Sequence, residues 1–226
     1  IVYEDRNANQ RFDDGDAPVA GVLVSNGVEV VAADKEGRYE LPVTDDTILF
    51  VIKPRGFRTV VDEIQIPRFY HIHKPNGSPK FRVPGVAPTG PLPDSVDFPL
   101  YRQEEPDTFR AVVFADTQVR DRREIDYLEH DIVEELIGVD AAFGVTLGDI
   151  VFNDITLFDD LNSAVGQIGI PWYNVIGNHD SNQRADEDRF SDETFERIYG
   201  PHAYAFQYGR VHFIAMDTVI WGVKRG

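Results

Sequence analysis

Three times in the second half of the chain a short apolar run ends on side chains that carry oxygen or nitrogen ligands. Val112-Val113-Phe114-Ala115 leads into Asp116-Thr117-Gln118, residues 143–147 into Gly148-Asp149, and residues 172–176 into Gly177-Asn178-His179-Asp180. Apolar runs of this length, bounded by polar turns, read as buried strands. Ligands just past the ends of successive strands are where α/β proteins build their sites. Helical patterns lie between the runs. Residues 122–137 place Ile125, Leu128, Ile132 and Leu136 on one face, and residues 155–168 form a second helix. Residues 191–199 form a third, with Ser191 as N-cap and Gly200 as stop. Residues 203–208 and 211–217 read as a hairpin around Gly209-Arg210. This alternation implies an α/β layer fold.

The first half has a different grammar. Residues 19–25, 29–33, 38–43 and 47–53 are short β-branched or aromatic runs, separated by turns such as Asn26-Gly27 and Asp34-Lys35-Glu36-Gly37. They predict a small antiparallel β-sandwich. Prolines interrupt residues 67–108 so often that the stretch should be extended and irregular, with 96–100 returning as a last strand. The expected domains are therefore 1–103 and 107–226.

Composition narrows the function. With 42% apolar residues the chain can bury a core, yet no run approaches the roughly 20 apolar residues that span a bilayer. Cysteine is absent, which removes disulfides, thiolate catalysis and cysteine zinc sites. The net charge of −17 divides into −5 over residues 1–106 and −12 over 107–226. Such a surface disfavours nucleic acid and anionic membrane. It would also repel a phosphate, so attraction would have to come from bound cations.

Two resemblances sharpen this. Residues 21–27, Gly-Val-Leu-Val-Ser-Asn-Gly, followed by residues 34–42, Asp-Lys-Glu-Gly-Arg-Tyr-Glu-Leu-Pro, resemble the transthyretin-like modules attached to exported enzymes. They are also similar to the N-terminal domain that precedes the catalytic domain in exported calcineurin-like phosphoesterases. The second half, with Asp116-x-Gln118, Gly148-Asp149 and Gly177-Asn178-His179-Asp180 in order, resembles the calcineurin-like metallophosphoesterases themselves. The family pattern is Asp-x-His, Gly-Asp, Gly-Asn-His-Asp/Glu, a later His, then Gly-His-x-His.

The resemblance implies an N-terminal all-β transthyretin-like sandwich followed by a four-layer α/β/β/α metallophosphoesterase domain, incomplete here. It implies a phosphate-ester substrate, a periplasmic or extracellular location, and two divalent metal ions. Asp149 would bridge the metals, Asp116 and Gln118 would serve the first, and Asn178 the second. His179 would stabilise the transition state and protonate the leaving oxygen, and Asp180 would fix the His179 tautomer. Asn153 is a weaker candidate beside the metals. Gln118 stands where many relatives carry histidine; its amide oxygen favours manganese or magnesium, with iron also suitable, over zinc alone.

The later His and Gly-His-x-His do not occur in this sequence. The expectation is an N-terminal piece of a longer enzyme, with an uncovered apolar face costing about 25 cal/mol per Å². Residues 107–226 alone should then bind metal poorly and hydrolyse nothing. The alternatives are a non-enzymatic surface or binding protein with a degenerate phosphoesterase domain, and an intracellular nucleotide phosphohydrolase.

Other candidates stand apart from this set. Residues 5–16 carry oxygen side chains at loop positions 1, 3, 5, 9 and 12, the spacing of a calcium loop. Gln10 occupies the usual glycine position and Asp16 replaces the usual glutamate, so a solvated acidic turn competes with calcium binding. His71 and His73 form a His-x-His pair without a nearby carboxylate, which is an incomplete metal site. His202 and His212 read as structural.

Overall fold

The computed structural model describes residues 1–220. Ten strands occupy the first half: β1 (Val2–Glu4), β2 (Ala17–Pro18), β3 (Leu23–Ser25), β4 (Val30–Ala32), β5 (Thr47–Ile52), β6 (Phe57–Arg58), β7 (Val60–Val61), β8 (Pro67–Arg68), β9 (Tyr70–His73) and β10 (Phe98–Arg102). They form two four-stranded sheets, ordered β2-β1-β10-β6 and β4-β3-β5-β9, and a separate β7-β8 pair. Alternating side chains of β3, β5 and β10, among them Val24, Leu49, Val51 and Leu100, are buried in one apolar cluster.

Three expectations are corrected here. The sheets are not wholly antiparallel, because β1 pairs with β10 in parallel, Val2 opposite Phe98. A parallel pair needs a long connection, and the whole intervening domain supplies it. Residues 38–43 form no ladder; Pro42 has no N–H to donate, and the Tyr39 hydroxyl anchors the segment by donating to the Val96 carbonyl at 2.7 Å. Nor is the proline-rich stretch irregular throughout. β9, flanked by Pro67 and Pro75, pairs along the edge of β5, a place where neighbouring prolines are tolerated.

The second half begins with β11 (Ala111–Phe114), then α1 (Arg122–Leu128), a π-helical turn (Glu129–Val133) and α2 (Glu134–Leu136). β12 (Phe143–Leu147) leads through a 3-10 turn into α3 (Phe158–Gly166), and β13 (Trp172–Val175) is followed by α4 (Glu193–Tyr199). β14 (Tyr204–Tyr208) and β15 (Val211–Ala215) close as a hairpin. β11, β12 and β13 form a parallel sheet whose register sets Phe114 beside Thr146 and Thr146 beside Asn174. Their carboxyl ends therefore lie level along one edge, and the three motif loops leave from it.

Two helix details differ from the sequence reading. Ile132 was expected inward, but it is 43% exposed while Val133 is fully buried. The π turn admits one extra residue and rotates the apolar stripe by that residue. Ser191 is not the N-cap of α4. Asp192 holds that position, because the Ser191 N–H closes the preceding 3-10 turn onto the Asp188 carbonyl at 2.8 Å.

The halves share packing. One apolar cluster joins Val24, Phe50 and Phe69 of the first half to Phe143, Tyr173 and Phe206 of the second. Lys53 crosses between them, its Nζ within 2.5 Å of Glu105 and 2.6 Å of the Gln207 carbonyl. Lys74 does the same for α4. It is buried, with Glu193 at 2.6 Å, Asp46 at 2.9 Å and Glu196 at 3.3 Å. Both lysines repay their desolvation only through these partners. Val113, Leu147 and Ile214 remain more than half exposed.

Candidate metal centre

Asp116, Gln118, Asp149 and Asn153 all adopt positive φ, at 49°, 42°, 47° and 66°. Non-glycine residues rarely occupy this region, and they cluster where surrounding structure holds a functional loop in place. The chain thus turns sharply as it leaves β11 and β12, which lifts these side chains above the sheet edge.

Two glycines let the loops meet. Gly148 follows β12 and Gly177 follows β13, and a Cβ on Gly177 would fall on the backbone nitrogen and Oδ1 of Asp149. With no side chain in the way, Asp149 becomes a hub. Its Oδ2 accepts from Gln118 Nε2 at 3.0 Å, its carbonyl accepts from the Gln118 N–H at 2.9 Å, and its Oδ1 accepts from the His179 N–H at 3.1 Å. All three motif loops are thereby joined through one carboxylate.

His179 Nδ1 lies 2.7 Å from Asn153 Oδ1. Gln183 Nε2 donates to that same oxygen, so the Asn153 amide presents an acceptor and Nδ1 carries the proton. The imidazole stacks on Phe152 at 4.7 Å between centroids, and the Arg120 guanidinium sits 4.9 Å from the Phe152 ring centre. His179 Nε2 has no protein partner among the described residues.

Asp180 does not fix the His179 tautomer. It is fully buried and turned inward, accepting from the Gly177 N–H at 2.8 Å and the Val151 N–H at 3.1 Å. Consecutive side chains of the 3-10 turn Asn178–Asp180 point about 120° apart, so His179 and Asp180 cannot share a direction. Burial pushes the Asp180 carboxyl up to about 7, against the backbone N–H groups of Val151, Gly177 and Ile150, which lower it. Its role is to pin the third loop to the second. Asn153 is the residue that orients the histidine.

Asp116 and Asn178 are exposed on the same edge, and neither side chain makes a hydrogen bond among the described residues. Gln118 and Asp149 are thus bonded to each other, while the Asp116 and Asn178 side chains are free. Each of the four offers an oxygen, which could serve a hard divalent cation such as manganese or magnesium.

The remaining candidates divide. The 5–16 loop keeps its carboxylates for its own donors: Asp5 accepts from the Gln10 N–H and the Tyr101 hydroxyl, and Asp16 accepts from the N–H groups of Arg6 and Asp13. No three of its carboxylates gather closely enough for an ion. These hydrogen bonds hold the acidic turn together by its own carboxylates. His71 and His73 lie along β9, and among the described residues no third ligand is gathered beside them.

His202, read as structural, has an unexpected setting. Its Nδ1 is 2.5 Å from Asp192 and 3.7 Å from Glu196, and the ligand atoms of Asp192, His202 and Asp217 all lie within 4.8 Å of one another. Asp192 holds the imidazole up at about 9, against its partial burial. Nothing in sequence spacing signals this trio, since the hairpin fold alone brings Asp217 back to α4.

The fold is an α/β layer with oxygen-bearing side chains in the loops at the carboxyl edge of a parallel sheet, preceded by a β region. Residues 6–83 match the family model described as the N terminal of calcineurin-like phosphoesterase. The match lies wholly in the β region and ends before β11. No curated protein matches the chain. No helix among the described residues is long and apolar enough to cross a membrane.

Proposed function

We propose that the chain carries the metal-binding edge of an exported phosphoesterase that hydrolyses phosphate esters with two divalent cations. The observation that carries this reading is the Asp149 hub, which ties three strand-end loops to one carboxylate. In this reading Asp149 would be shared by the cations, Asp116 and Gln118 would serve one, and Asn178 would serve the other. The cations would supply positive charge to the phosphate oxygens and lower the pKa of water. Asn153 holds the His179 ring through Nδ1, which leaves Nε2 free to move a proton to the departing oxygen. Phe152 limits how far that ring can tilt. The implied architecture is the four-layer α/β/β/α sandwich, behind a transthyretin-like domain.

Four oxygen donors hold two cations weakly, so the test reads ligand retention. In excess manganese, equilibrium dialysis should show nitrophenyl phosphate bound more tightly than in EDTA. The gain should disappear in Asp149→Asn. Equal binding with and without manganese would contradict the reading.

A second reading, a non-enzymatic surface-binding protein, is favoured by one fact: the family match lies wholly in the β region, away from Asp149. Export rests on the transthyretin-like resemblance, and recovery of the chain from the cytoplasmic fraction of its cell would count against it.

A further inference from the structure

A cavity of about 190 Å³ opens beside Asn153, the residue that holds His179. One wall is the loop after β13, with Gln183 and Arg184. The opposite wall, Phe81-Arg82-Val83, belongs to the proline-rich stretch of the first half. That wall is fixed in place. Thr194 Oγ1 donates to the Val83 carbonyl at 3.2 Å, and Arg197 Nε donates to the Pro84 carbonyl at 3.0 Å.

The charge of the cavity is opposite to that of the molecule. The chain is at −17, and many of its cations are ion-paired. Arg82 and Arg184, which both line the cavity, have no ion pair or hydrogen bond among the described residues. Asp154 is the one carboxylate lining it, and its Oδ1 is already taken by the Thr156 N–H and hydroxyl. Asp186 and Glu187 line a second cavity that shares Arg82 and Arg184, and Glu187 is paired with Arg189 at 3.0 Å. Two free guanidiniums with amides from Asn153 and Gln183 make a donor-rich pocket, and Phe81 and Ile155 give it apolar sides. Guanidinium is the side chain best matched to carboxylate or phosphate.

We propose that this cavity is a subsite for a second anionic group, carried on the part of the substrate beyond the phosphate being cleaved. The substrate class is then a phosphate ester whose alcohol portion bears a carboxylate or a further phosphate. The role in substrate binding rests on the phosphoesterase reading; the anion site itself does not need it. Arg82 and Arg184 are binding residues here, and Asn153 links the pocket to His179.

The test separates the two ideas. In EDTA, with no metal bound, calorimetric titration with phenylphosphonate should show binding. Arg82→Ala and Arg184→Ala should each weaken it about tenfold or more. Arg38→Ala, at an exposed arginine in the Asp34–Arg38 turn outside the cavity, should leave it unchanged. No binding, or binding indifferent to both cavity arginines, would overturn the anion site whatever the metal does. In manganese, phenyl phosphate with a para-carboxylate should bind about tenfold tighter than phenyl phosphate, and the preference should vanish in both variants. A preference that persists in the variants, or none in the wild type, would overturn its role as a substrate subsite.

Discussion

Gly177 occupies a place where a single methyl group would strike the site, since its Cβ would meet the Asp149 backbone and carboxylate. Gly177→Ala should therefore force the second and third loops apart. The expected loss is about 1–3 kcal/mol in urea unfolding, accompanied by loss of the amide shift of His179, whose N–H reports on Asp149. An unchanged His179 amide would show that the loops tolerate the methyl group. His202 gives a second prediction at this scale. Its folded pKa of about 9 exceeds the ordinary 6.5. The folded state thus binds the proton more tightly, so the stabilisation is fully present below pH 6.5 and is lost as pH rises through 9. His202→Gln should cost roughly 1 kcal/mol at pH 6, a figure discounted because the imidazole side chain is 41% exposed. Near pH 10 the variant and the wild type should converge; a gap of constant size in urea unfolding across this range would refute the proton's role.

The elements were legible wherever one periodicity ruled. β11, β12 and β13 are apolar runs ended by glycine or ligand residues, and their parallel pairing follows from the helices between them. The three motif loops could accordingly be read from sequence as neighbours. The π turn could not, because a stripe of Ile125, Leu128, Ile132 and Leu136 fits an uninterrupted helix, and only packing against α3 shows Val133 taking the inward place. Residues 38–43 misled for a related reason: alternation marks an extended chain, but a ladder also needs a partner with free donors. Asn153 was visible only as a polar residue after Gly-Asp, and its hydrogen bond to His179 depends on a positive φ that no pattern announces. α3 supports the sheet through Phe158, which is fully buried in the main apolar cluster. Phe158→Ala should cost about 3–5 kcal/mol in chemical denaturation, and a loss below 1 kcal/mol would mean that this helix does not carry the core.

The two halves, distinct in sequence, are joined across the molecule by one apolar cluster and two buried lysines. Sequence marked the change of grammar near residue 105 but carried no sign of the contacts, since Lys53 and Lys74 meet partners over a hundred residues away. Lys74→Met should leave Glu193 and Glu196 buried without their cation and cost about 3–5 kcal/mol. If the halves were independent, calorimetry would resolve a second melting transition instead of one lowered transition. The same closeness puts Phe81 and Arg82 beside the histidine loop, so the β region forms part of the cavity wall next to His179. Whether cations gather at the sheet edge is decided most directly by titrating the chain with manganese and following its backbone amide signals. Paramagnetic broadening should begin at residues 116–118, 148–149 and 177–179 and vanish from all three loops in Asp149→Asn. Broadening that begins instead at Asp192, His202 and Asp217, or that ignores the Asp149 substitution, would remove the metal centre from this edge.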